Sequence, residues 1–262
     1  MKLLSPSGIL LALLAFPMAA SAAFLTTFDG LTAPGQIAGQ DGWTINEATP
    51  DNSFVVTGIG TNKYAALGGL LADPATAMAG INLVHSAGSQ VAAGSTFSVS
   101  YALINRSTVT GFSFAATDPD DWFGFTLGDG SGDVLNISFR PTSPLNESIR
   151  QVFNNGVGVT PNGITTSGYE NPLFSTLTVS FSNVGGALNY TGSTGGGSIN
   201  FNGSIPGKGT TTFTTVGIDW DVKNTPSGQN FILVDNLSLV PEPSASLMGL
   251  LSIGLLAARR RR

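Results

Sequence analysis

The chain has 262 residues, a net charge of −5, one histidine, no cysteine, 34 glycines and only 10% charged residues. The missing cysteine excludes disulfides, thiolate zinc sites, iron–sulfur clusters and thiol nucleophiles, and a lone His85 cannot build a histidine-rich metal centre. So few charges beside 42% hydrophobic residues exclude a disordered acidic chain and a coiled coil, and suffice to fill one large core or two small ones.

Residues 1–22 read as a secretory signal peptide. Lys2 gives the positive start, Ile9 to Phe16 the apolar run, and Ala20-Ser21-Ala22 the small residues a signal peptidase requires, with cleavage predicted after Ala22. The body that follows, 23–239, carries six basic against fifteen acidic side chains, a balance near −9. A surface of that sign does not seek nucleic acid, which needs clustered Lys and Arg; it suits solubility, bound cations or neutral glycans.

Strand patterns fill the body. Phe97, Val99, Tyr101 and Leu103 alternate with small or polar residues, the period of a half-buried strand. Phe123, Phe125 and Leu127 repeat it, as do Leu177, Val179 and Phe181, then Val216, Ile218 and Trp220. Phe231 to Leu239 is the last predicted strand. Turn signals stand at Asp118-Pro119, Gly128-Asp129-Gly130, Asn154-Asn155-Gly156, Pro161-Asn162-Gly163 and Gly185-Gly186. No stretch between the termini carries a convincing helical period, so the body is predicted to be all-β, one two-sheet sandwich.

Several residues are candidates for chemistry. Asp118, Asp120, Asp121, Asp129 and Asp133 crowd one stretch with glycines interleaved, and calcium takes oxygen ligands from carboxylates and from carbonyls that glycines let turn inward. The alternative is that these aspartates form turns and aid solubility. Asp219 and Asp221, with Asp235, invite a glycosidase reading, because residues i and i+2 of a strand share a face and such enzymes need two close carboxyls. The scattered Glu47, Glu147, Glu170 and Glu242 supply no acidic row to complete it. His85 has no Gly-x-Ser-x-Gly elbow to partner and reads as an ordinary loop or surface residue. Trp43, Trp122 and Trp220 are rings that either stack on sugars or fill the sandwich core. No catalytic residue is assigned, and the body is expected to be non-catalytic.

The end of the chain, 240–262, differs from the rest. Val240-Pro241-Glu242-Pro243 is stiff and extended, Ser244 to Ala258 is apolar, and Arg259, Arg260, Arg261 and Arg262 follow at once. As a helix those 15 apolar residues span roughly 22 Å, marginal against a hydrocarbon core of roughly 30 Å, with the arginines holding the cytoplasmic side. A transmembrane helix is therefore predicted, with the body outside the membrane.

This order of features resembles the PEP-CTERM sorting signal of Gram-negative bacteria. The resemblance implies that the chain is an exosortase substrate, with Pro241, Glu242 and Pro243 as recognition residues and Arg259 to Arg262 retaining the tail during sorting. It further implies a protein of the cell envelope, surface or extracellular matrix, anchored at least transiently in the inner membrane and associated with exopolysaccharide and biofilm. The opening Phe28-Asp29-Gly30-Leu31 and Gly39-Gln40-Asp41-Gly42-Trp43, with the closing Val234-Asp235-Asn236-Leu237-Ser238-Leu239, are similar to concanavalin A-like (jelly-roll) domains. That likeness implies paired first and last strands. It leaves open a lectin-like module, calcium-assisted or not, and less readily a glycoside hydrolase or lyase.

Overall fold

A computed structural model describes residues 23–45, 53–57, 62–68, 81–104, 122–143, 146–153, 158–159, 166–167, 174–194, 199–221 and 231–241. Every regular element among them is a strand. In order these are β1 (Phe24–Thr26), β2 (Gly35–Gln36), β3 (Thr44–Ile45), β4 (Ser53–Thr57), β5 (Lys63–Gly68), β6 (Ile81–Val91), β7 (Ser95–Ile104), β8 (Trp122–Gly128) and β9 (Asp133–Ser143). They continue as β10 (Asn146–Phe153), β11 (Gly158–Val159), β12 (Thr166–Ser167), β13 (Ser175–Val184), β14 (Ala187–Thr194), β15 (Ile199–Ile205), β16 (Thr212–Asp221) and β17 (Phe231–Pro241). The predicted signal peptide and apolar C-terminal helix lie outside the described residues.

Two antiparallel sheets face each other. The nine-stranded sheet runs β15-β14-β13-β7-β17-β5-β4-β2, with β1 also on β17; the eight-stranded sheet runs β11-β10-β9-β8-β16-β6-β3, with β12 on β10. This is the predicted all-β jelly-roll sandwich. The first and last strands pair, Phe24 opposite Leu239 and Thr26 opposite Leu237. Each predicted alternation is found, and its apolar members point into one core between the sheets: Phe97, Val99 and Tyr101; Phe123 and Phe125; Leu177 and Val179; Val216, Ile218 and Trp220. Across that core Tyr101 stacks on Phe139 with centroids 4.6 Å apart, and Phe181 meets Phe213 edge-on at 5.0 Å. Each such ring, fully buried, contributes about 1.5–3 kcal/mol. The Tyr101 hydroxyl stays satisfied in the core by the Thr194 hydroxyl at 2.8 Å.

The last strand departs from simple alternation. Ile232 and Val234 face inward, and so do Leu237 and Leu239, because the register slips between Asp235 and Ser238. Asn236 sits there at φ 50°, a left-handed conformation that asparagine tolerates better than most residues, and the Asp235 carboxylate accepts its N–H at 2.7 Å. The bulge resets the parity, so both halves of the strand feed one core. β17 also continues through Pro241, two residues past the boundary expected at 239. A proline ends the ladder there, opposite Ser95, because it has no N–H to extend the pairing.

Candidate functional site on the outer face of the eight-stranded sheet

β8 is buried on both faces along its whole length, not the half-buried strand its pattern predicts. Its inward side is Phe123, Phe125 and Leu127, leaving Trp122, Gly124, Thr126 and Gly128 outward. The register lays the outward residues in rows. Asn82, Asp219, Gly124 and Ser138 form one; Val84, Gly217, Thr126 and Asn136 form the next; Asp221 and Trp122 stand beyond the first.

Hydrogen bonds tie these rows together. Asn136 Nδ2 donates to Asp219 Oδ2 at 2.9 Å, and Ser138 Oγ donates to Asn136 Oδ1. Thr126 and Ser138 are buried, whereas Asn82, Asn136 and Asp219 stay half-buried and reachable. Two glycines make the arrangement possible. A Cβ at Gly124 would lie 2.7 Å from Ser138 Oγ and 2.9 Å from Asn136 Oδ1, and one at Gly217 would lie 2.9 Å from Asn82 Oδ1 and collide with Thr126 Oγ1. The amides and hydroxyls thus occupy the space a side chain would take. The Asn82 carbonyl oxygen is desolvated with no hydrogen-bond partner among the described residues, an unsatisfied acceptor beside Asp219. Carboxylate and amide groups brought together on one face offer both donors and acceptors, the complement of a polyol's hydroxyls.

The predicted site residues are distributed unevenly. Asp219 belongs to this cluster, and Asp221 holds the next same-face position of β16, as the i, i+2 spacing predicts. Asp235 does not join them, because β17 lies in the other sheet. Trp43 and Trp220 are fully buried in the core and closed to sugars, leaving Trp122, 9% exposed, at the outer face. His85 is a correction: it is no loop residue but lies within β6, half-buried, its ring 5.1 Å from Trp43 and 5.0 Å from Phe24. Its ring nitrogens lie 2.6 Å from the Ser86 carbonyl and 2.5 Å from that of Asp41, so it closes the core edge. Asn82, Asn136 and Ser138 were not singled out from sequence; each looks like an ordinary strand polar residue until the register brings it into or beside the row of Asp219.

The acidic stretch is only partly described. Asp118, Asp120 and Asp121 lie outside the described residues. Asp129 sits in the β8–β9 turn, where its carboxylate takes Lys208 Nζ at 2.6 Å, Ser131 Oγ at 2.5 Å and Thr211 Oγ1 at 3.1 Å. Burial alone would raise this carboxyl, but those donors outweigh it and hold it well below the ordinary carboxylate range. Asp133, exposed at the start of β9, makes no cluster with it: among the described residues no three His, Asp or Glu side chains converge as a metal would require. The Asp129 carboxylate is thus committed to the Lys208 ammonium that the chain already carries.

Pro241 closes β17, while Glu242, Pro243 and Arg259 to Arg262 lie outside the described residues. Residues 239–262 match the family described as PEP-CTERM protein-sorting motif. No curated protein matches the chain. Among solved structures, the CBM2 module of the evolved Dit of Lactobacillus casei BL23 phage J-1 superposes with TM-score 0.53 at 10% identity, covering 84% of this chain and 96% of that one. The seed lectin of Lotus tetragonolobus gives 0.47 at 13% identity over 84% and 97% of the two chains, and lectin II from Ulex europaeus 0.44 at 10% over 86% and 100%. The first likeness shows the sandwich fold, and the motif at 239–262 shows the sorting signal. The chain is an exported protein in which a jelly-roll sandwich runs, within its last strand, into a PEP-CTERM sorting signal.

Proposed function

We propose that this is a non-catalytic surface or matrix protein, sorted by an exosortase, whose sandwich holds a neutral glycan on the outer face of the eight-stranded sheet. One observation carries the reading: Asp219, Asn136 and Asn82, on three strands, converge over Gly124 and Gly217 on one sheet face. The sorting tail supports a destination at the cell surface, where extracellular polysaccharide and biofilm matrix would be the glycans at hand. In this reading Asp219, which accepts a hydrogen bond from Asn136, binds the glycan and does no hydrolysis.

The test is binding of the full chain to neutral extracellular polysaccharide from a producing bacterium, with calcium and then with chelator. Saturable binding that chelator leaves unchanged supports the reading. Binding lost in chelator would bring calcium back through carboxylates other than Asp129, and no binding would leave a structural surface protein. Release of reducing sugar during the incubation would overturn the non-catalytic assignment.

A further inference from the structure

Both ends of the sandwich chain leave on one side. β1 begins at Phe24 opposite Leu239, and β17 ends at Pro241 opposite Ser95. The same end is closed by the β6–β7 turn, the β13–β14 hairpin and the β15–β16 loop. These are joined by the Ala92 N–H to Thr211 at 3.0 Å, Gly94 N–H to Phe181 at 2.8 Å and Gly209 N–H to Gly186 at 3.0 Å, each on a backbone carbonyl.

Exposed apolar side chains collect there. Among the described residues five large hydrophobics are exposed, and four of them belong to this end: Leu25 at 66%, Val91 and Val184 at 59%, and Val240 at 41%. The fifth, Phe174, stands before the opposite end of β13 and packs on Tyr64 at 4.9 Å. Single exposed apolar residues are ordinary; four gathered at one tip are not. Lys208, the basic residue described at this tip, is tied to Asp129, so no free cation is offered to anionic headgroups.

The sequence says what covers them. Only Glu242 and Pro243 separate Pro241 from the apolar run 244–258, a reach of about 10 Å for three extended residues. Whenever that run occupies a bilayer, this tip is held at the headgroup layer.

We propose that the tip is a lipid-contacting surface, with Leu25, Val91, Val184 and Val240 resting in the interfacial layer of the membrane that holds the tail. An acidic body gains nothing from anionic lipid, so apolar insertion supplies the attraction. The contact orients the sandwich, with Trp122 and Asp221 at the far end of β8 and β16, away from the bilayer. It goes beyond the glycan reading and does not depend on it.

The full chain, reconstituted by its tail into phosphatidylcholine vesicles, tests this. With no native cysteine, single labels are clean at Val91→Cys, Val184→Cys, the distal Thr176→Cys and, within the apolar run, Leu250→Cys. A fluorophore at Val91 or Val184 is expected to be quenched by spin-labelled lipid at least threefold more than at Thr176, with the Leu250 label strongly quenched. Adding Leu25→Asp and Val184→Asp is expected to release the Val91 label while the Leu250 label stays quenched. Equal quenching at both ends, a Val91 label indifferent to those aspartates, or an unquenched Leu250 label would each overturn the proposal.

Discussion

The outer faces of the two sheets are built from similar small polar residues and behave differently. On the nine-stranded sheet Ser98, Thr178, Ser193 and Asn200 lie side by side across β7, β13, β14 and β15, as do Thr96, Ser180, Thr191 and Asn202. They are exposed or half-buried, each strand alternating cleanly with its apolar inner side. On the eight-stranded sheet the corresponding positions of β8, and Ser138 of β9, are buried, and glycines stand where the neighbours' side chains must lie. One face is a solvated ladder that tolerates change; the other is a packed polar cluster that does not.

That contrast breaks most readily at the glycines. Gly217→Val forces a side chain into Thr126 and Asn82 and is expected to cost about 2–3 kcal/mol, read as a fall in the urea midpoint of the full chain. A variant within about 0.5 kcal/mol of the parent would show that the two faces are packed alike. Lys208→Met comes next. It strands the Asp129 carboxylate that ties the β8–β9 turn to the β15–β16 loop, for a loss of about 1–2 kcal/mol. Because the folded Asp129 carboxyl lies below its ordinary 3.8, the pair's contribution is present above that value and fades as the pH falls through and beneath it. The parent's advantage over Lys208→Met is therefore expected to be constant near neutrality and to shrink in acid; a gap that widens in acid would contradict the assignment. The smallest effect is Thr178→Val on the solvated ladder, within about 0.5 kcal/mol by the same denaturation.

The same contrast separates what was legible in the sequence from what was not. Phe97 to Leu103 and Leu177 to Phe181 announce a half-buried strand because one side is solvated, and period two then shows directly. In β8 the pattern Trp-Phe-Gly-Phe-Thr-Leu-Gly gives the inner face correctly, but burial of the other face comes from tertiary packing that no local period records. Asp219 was visible as a carboxylate with an i, i+2 partner. Asn82 and Asn136 were not, since their meaning depends on pairing β6 and β9 with β16 and β8 at long sequence separation. Asp235 misled for the same reason: proximity in composition says nothing about which sheet a strand joins. The tail was legible outright, its proline, apolar and arginine blocks being contiguous, whereas Asn236, the bulge that lets β17 serve core and tail together, is one residue with no periodic signature.

The central claim is that the outer face of the eight-stranded sheet holds a neutral glycan, and one titration tests it most directly. Asp219→Asn keeps the side-chain volume but exchanges an acceptor oxygen for a donor nitrogen; Thr191→Ala alters the solvated ladder of the other sheet. Each is titrated beside the parent against neutral extracellular polysaccharide, with circular dichroism confirming the fold. The account predicts at least a tenfold weaker affinity for Asp219→Asn, about the loss of one hydrogen bond to a charged group, and parental affinity for Thr191→Ala. Parental binding by Asp219→Asn, or a loss confined to Thr191→Ala, would contradict it.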